Sequence, residues 1–225
     1  MLDTQSLLPA IKITTGPNPT HTILWMHGLG ADGNDFVPIV QALDLPPATP
    51  IRFLFPHAPI QPVTINGGWK MRAWYDIKHN DLSWQEDETG IRNSQRAITA
   101  LIEHEIQQGV PAERIVLAGF SQGGAMALQT GLRLPHKLAG IMVLSGYLPL
   151  PHHLAREAHS ANISTPIFMA HGTQDPVVPI ALANTSQQHL REHRHSVEWH
   201  EYPMAHAVCD PELADISRWL RKVLQ

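Results

Sequence analysis

Apolar and polar positions fall in blocks along this chain. Near-continuous apolar runs occur at TILWMHG (22–28), IRFLFP (51–56), RIVLAG (114–119), LAGIMVLSG (138–146) and PIFMAHG (166–172). Such runs predict strands covered on both faces, as in a parallel sheet. AIKITT (10–15) alternates like an edge strand, and SVEWHEY (196–202) reads as a last strand. Helical patterns lie between them. In DETGIRNSQRAITALIEHEIQQG (87–109), Ile91, Ile98, Leu101, Ile102 and Ile106 recur near helical spacing and Gly109 is the stop. QGGAMALQTGLRL (122–134), PIALANTSQQHLREH (179–193) and DPELADISRWLRKVL (210–224) are further helices. In the last, Asp210 reads as N-cap and Pro211 as the first helical residue. The β-α alternation predicts an α/β fold: an open, mainly parallel sheet of about seven strands with helices on both faces.

One stretch breaks this rhythm. Residues 57–87 have no clear period and hold Trp69, Trp74 and Trp84. A connection that long is commonly functional or disordered, and the aromatic content argues against disorder. Two readings stand: a packed surface loop flanking the core, or a lid or substrate wall.

Composition narrows the classes. At 225 residues the chain suits one domain spanning 1–225. Hydrophobic content of 43% and charged content of 16% describe a globular core. A net charge of −4 advertises no face for nucleic acid. Cys209 is the single cysteine, so no internal disulfide forms and a reducing, cytoplasmic setting is expected. The first residues, MLDTQSLLPAIKITTG, lack a basic region followed by an apolar core, so no export signal is read. No stretch approaches the roughly 20 apolar residues that span a bilayer, so stable membrane insertion is not expected.

The candidate chemistry begins at Gly119-Phe120-Ser121-Gln122-Gly123. At a strand-to-helix junction G-x-S-x-G is a nucleophile elbow. Glycine two residues to either side lets strand and helix approach closely, and the serine stands above a helix N-terminus. The pattern alone is weak, since a glycine-rich turn with an N-capping serine looks the same. Context favours the nucleophile. Ser, then Asp, then His is the chain order this architecture requires, each after a strand. Asp175 follows PIFMAHG in a loop stiffened by Pro176 and Pro179, and His206 follows SVEWHEY. Asp210 is a rival carboxylate, but it comes after the base. One oxyanion donor is the backbone N–H of Gln122, so its side chain is expected to matter less. The other should come from the glycine-rich loop MHGLGADGND (26–35).

Gly28, Gly30 and Gly33 also read G-x-G-x-x-G, but no acidic ribose partner follows about 20 residues on, so a dinucleotide site is rejected. His152-His153 and His193-x-His195 lack the spacing of a metal motif. Cys209 has no elbow of its own and reads as an inert thiol. Neither metal nor cofactor is expected.

Several long motifs in order resemble one family. HGLGADGNDF, APIQPVTINGG, MRAWYD, QEDETGI, GFSQGGAMAL, LAGIMVLSGYLP, HGTQDPVVP and YPMAHAV resemble the acyl-protein thioesterase and small carboxylesterase group of α/β-hydrolases, also called the phospholipase/carboxylesterase family. The bacterial carboxylesterase branch looks most similar. The resemblance runs from about residue 12 to the C-terminus. It implies an α/β-hydrolase fold, Ser121 as nucleophile, Asp175 as orienter and His206 as base, with Leu29 and Gln122 as oxyanion donors. It further implies that Trp74, Met71 and Ile65 contact an acyl chain. Relatives often carry serine directly after the histidine, where this chain has Ala207.

These readings together predict a serine carboxylesterase or thioesterase for short to medium acyl chains, working through an acyl-enzyme. Expected partners are a small ester or thioester, an acylated protein or a lysophospholipid. The protein would be a monomer or homodimer. The rival readings are a non-catalytic hydrolase-fold protein that binds a hydrophobic ligand, and a peptidase using the same three residues.

Overall fold

A computed structural model describes residues 7–225. The first six residues of the stretch read above for an export signal lie outside the described residues. The strands are β1 (Ala10–Thr14), β2 (His21–Met26), β3 (Ile51–Pro56), β4 (Ile60–Val63), β5 (Trp69–Arg72), β6 (Ile115–Phe120), β7 (Gly140–Leu144), β8 (Ile167–Gly172) and β9 (Val197–Tyr202). The helices are α1 (Ile39–Ala42), α2 (Glu88–Gln107), α3 (Gln122–Gly131), α4 (Leu154–Glu157), α5 (Ile180–Glu192) and α6 (Asp210–Val223).

Every apolar run of the sequence forms its strand. Seven strands make one sheet in the order β1-β3-β2-β6-β7-β8-β9. All neighbours are parallel except β1, which runs antiparallel to β3 along the edge. The two-residue strand period sorts the core. In β7, Ile141 and Val143 face one hydrophobic cluster while Met142 and Leu144 face the other. The first cluster takes Ile91, Ile98 and Ile102 of α2, Met126 of α3 and Leu190 of α5. The second takes Ile39 of α1 and Ile216, Trp219 and Leu220 of α6. Helices therefore cover both faces, which is why the inner strands read as unbroken apolar runs.

The strand after β2 lies to one side of it and β6 lies to the other. The crevice at this reversal of strand order is where open α/β sheets bind ligands. The loop after β2 and the start of α3 both open there.

The structure departs from the sequence pattern in three places. Residues 57–87 contain a short antiparallel hairpin, β4 against β5, with Val63 opposite Trp69 and Ile60 opposite Arg72. Four-residue strands, one of them holding Pro62, are too short to show a period. The same brevity hid α1 and α4, each four residues long. Asp210 is not the N-cap of the last helix. Cys209 occupies that position, and Asp210 and Pro211 lie in the first turn. An acidic residue is favourable at either place, so composition alone does not separate them.

Candidate active site

The elbow after β6 is built by close approach. A Cβ on Gly119 would lie 2.2 Å from the carbonyl carbon of Gly123, and one on Gly123 would lie 2.2 Å from Met26 O. Only glycine fits either position. Ser121 itself takes φ 56° and ψ −120°, a backbone state that costs on the order of 1–3 kcal/mol. Two bonds hold it there: its N–H donates to Leu144 O at 2.8 Å, and its carbonyl accepts from Ala125 N–H at 3.1 Å. Ser121 occupies the N-cap position of α3, but its side chain makes no capping bond there.

Asp175 and His206 converge on the same point from the loops after β8 and β9. Asp175 Oδ1 accepts the backbone N–H groups of Val177 at 2.8 Å and Val178 at 2.9 Å. Its Oδ2 lies 2.6 Å from His206 Nδ1. A carboxylate accepts, so Nδ1 carries the proton and Nε2 keeps its lone pair. The His206 ring packs on Phe120, the residue before Ser121, with centroids 4.7 Å apart. Among the described residues no hydrogen bond joins Ser121 Oγ to His206. That contact is commonly long until substrate is bound.

The loop after β2 closes the other side. A Cβ on Gly28 would sit 3.4 Å from the Ser121 Cβ, so Leu29 follows directly beside the serine. Gly30, at φ +78°, turns the chain, and its N–H donates to Arg72 O at 2.9 Å. Gln122 is the first residue of α3, so its N–H has no partner within the helix. His27, which the sequence reading passed over, braces this loop. Its Nε2 accepts Ala58 N–H at 3.1 Å and its Nδ1–H donates to Gly28 O at 2.7 Å. Burial lowers its pKa, which keeps the ring neutral and both bonds intact.

A cleft of about 360 Å³ runs from Ser121. Leu29, Ile65, Tyr75, Tyr147, Pro176 and Val177 are among its walls. Of the three residues expected along an acyl chain, Ile65 lines it and the other two do not. Trp74 is 1% exposed, and its indole N–H donates to His27 O at 2.9 Å behind the cleft. Met71 lies beside Gly30 instead. Tyr75 and Tyr147 form the wall in their place, with hydroxyls 2.8 Å apart.

The Gln122 side chain is not a bystander. Its Oε1 accepts Trp74 N–H at 2.7 Å and its Nε2 donates to Tyr75 O at 2.8 Å. This amide fastens the cleft wall to the elbow, a structural role separate from the oxyanion role expected of its backbone. Among the described residues, no three His, Cys, Asp or Glu side chains group closely enough to hold a metal ion.

The model of the Phospholipase/Carboxylesterase family matches residues 10–224. The chain belongs to that family. The acyl-protein thioesterase 1 of Neurospora crassa is 41% identical over 230 residues, covering 96% of this chain and 92% of that protein. The acyl-protein thioesterase 1 of Yarrowia lipolytica is 36% identical over 219 residues, covering 95% and 96%. The crystal structure of Arabidopsis thaliana SOBER1 superposes with a TM-score of 0.86 at 32% identity, covering 91% of this chain and 99% of that one. This member of the phospholipase/carboxylesterase family has the α/β-hydrolase fold and is a carboxylesterase- or thioesterase-like serine hydrolase. Among its described residues no helix is long and apolar enough to cross a membrane.

Proposed function

We propose that Ser121, His206 and Asp175 carry out acyl transfer from a carboxylic ester or thioester to water. The observation that carries this reading is the 2.6 Å bond between Asp175 and His206 Nδ1, with the same ring packed beside the elbow. His206 Nε2 takes the Ser121 proton as Oγ attacks the acyl carbon. The N–H groups of Leu29 and Gln122 receive the oxyanion. His206 then returns the proton to the departing alcohol or thiol. Water, deprotonated by the same nitrogen, releases the acid from Ser121.

The cleft supports one substrate class. Its volume of about 360 Å³ lies at the small end of ligand pockets, roughly 300–1,000 Å³, and its walls are largely apolar. A single short to medium acyl chain fits this description. The relatives named as acyl-protein thioesterases support an acylated protein as a candidate natural substrate, in the reducing compartment that a single cysteine suits.

The test is hydrolysis of p-nitrophenyl esters from C2 to C12, and of the matching acyl thioesters, by the wild type and Ser121→Ala. The expected result is wild-type turnover with a maximum at short to medium length, reduced to near background in the variant. A folded wild type without activity, or full activity in Ser121→Ala, would reject the reading and favour a ligand-binding protein.

A further inference from the structure

His171 is the last residue but one of β8, and it is fully buried. Its Nε2 lies 2.8 Å from Val178 O, which can only accept, so Nε2 carries the proton. The same nitrogen is 3.4 Å from Asp175 Oδ2, the oxygen that also meets His206. One N–H thus spans the turn 172–178 to bond its far end, with the Asp175 carboxylate beside it. The ring lies nearly parallel to that of Trp199 of β9, with centroids 6.4 Å apart and planes within 18°. Burial lowers the pKa of His171, so the ring is neutral near pH 7 and adds no positive charge beside Asp175.

His171 Nδ1 is buried without a hydrogen-bond partner. An unmet polar atom in a core costs free energy, and a leucine or phenylalanine would fill the same space without it. Packing alone therefore does not account for a histidine here. The Nε2 edge does, because its N–H holds Val178 O, and the N–H of the same residue binds Asp175 Oδ1, while Nε2 lies 3.4 Å from Oδ2 on the side where His206 approaches.

We propose that His171 is a positioning residue for Asp175, holding the carboxylate in the plane and register that orient His206. The proposal rests on the reading of Ser121, His206 and Asp175 given above. His171 does not reach the reacting atoms; it acts through Asp175.

The experiment is a cycle of His171→Phe and Asp175→Asn, with His171→Gln as the conservative variant and Ser121→Ala as control, assayed on a short p-nitrophenyl ester. His171→Phe should lower kcat roughly 10- to 100-fold, the scale of a misplacement of about 1 Å, with KM changed less than threefold. His171→Gln, whose amide N–H can reach the same oxygens, should recover most of that loss. In the Asp175→Asn background, His171→Phe should cost little more, because its target is already gone. A merely structural role would add its penalty in both backgrounds. If His171→Phe does not fold, His171→Gln is compared with the shorter His171→Asn in both backgrounds, and equal activity of the two overturns the proposal. Wild-type kcat in His171→Phe, or an undiminished penalty with Asn at position 175, also overturns it. If Ser121→Ala or Asp175→Asn retains wild-type activity, the underlying three-residue reading fails instead.

Discussion

Gln122 accepts the backbone N–H of Trp74 at 2.7 Å, and the same amide donates to the next carbonyl along, Tyr75 O. The residue that opens α3 thereby also clamps the cleft wall. Gln122→Ala leaves a buried donor and a buried acceptor unmet, at a cost of about 1–3 kcal/mol each before relaxation. The expected outcome is a clear fall in Tm and a raised KM for medium-chain esters. Gln122→Glu supplies only the acceptor and should rescue part of the loss at most. Denaturant titration alongside steady-state kinetics checks both.

The elbow glycines should be intolerant for a steric reason. Gly123→Ala drives a methyl to 2.2 Å from Met26 O, which requires the β2 end or α3 to move. Destabilisation above about 2 kcal/mol or failure to fold is expected. Gly109→Ala is the contrast: nothing lies within 4 Å, and only its φ of +92° is unfavourable. It should cost about 1 kcal/mol. Urea unfolding of the two variants compares them directly.

Stability should fall as pH rises from about 6.5 to 8. Burial pushes Glu212 up to about 8, and burial pushes Glu86 up to about 7. A carboxyl whose folded pKa exceeds its unfolded value, about 4.3, keeps its proton longer when folded. Its contribution is complete at low pH and is lost as pH climbs toward the folded value. Below about 6.5 the buried neutral histidines His27 and His171 act the other way, because they charge more readily when unfolded. Glu212→Gln should flatten the Tm profile between pH 6.5 and 8. An unchanged slope in that variant would contradict the argument.

Acyl-chain preference should follow the cleft's actual wall. Ile65→Trp fills space next to Ser121 and should cut activity on C8–C12 esters at least tenfold relative to C2–C4, on the scale at which each lost methylene contact is worth about 1 kcal/mol. Met71→Ala should leave the length profile unchanged. Trp74→Phe should lower Tm through the lost bond to His27 O and move the length profile little. Profiles measured with one ester series distinguish the three.

The sheet was legible because strands covered on both faces leave long apolar runs, and the expectation for Ser121, Asp175 and His206 came from each following a strand. The side-chain direction of an aromatic was not legible. Trp74 and Tyr75 are adjacent and both buried, and nothing in WYD says which lines the cleft; the bond from the Trp74 indole N–H to His27 O turns that ring away from it. His27 and His171 are two among 15 histidines and match no motif by themselves. A signal was present, however. A His-Gly pair follows β2 directly and closes β8, and in both the ring bonds a carbonyl of the following turn. The hairpin β4–β5 left no such trace, being shorter than the window over which alternation can be read.

The strands that deliver these groups are unequally protected. β6, which carries Ser121, is the central strand of the seven, with β2 and β7 on either side. β9, which leads to His206, is the outermost strand and pairs only with β8. The turn beyond it is pressed onto Gly172, where an added Cβ would lie 2.4 Å from Met204 O and Ala205 O. Local opening is cheapest at such a border. On warming, the proposed base should therefore detach while the nucleophile still stands in an intact sheet. Loss of turnover would then precede loss of the circular dichroism signal and would reverse on cooling, as a fray at one margin and not as collapse of the whole.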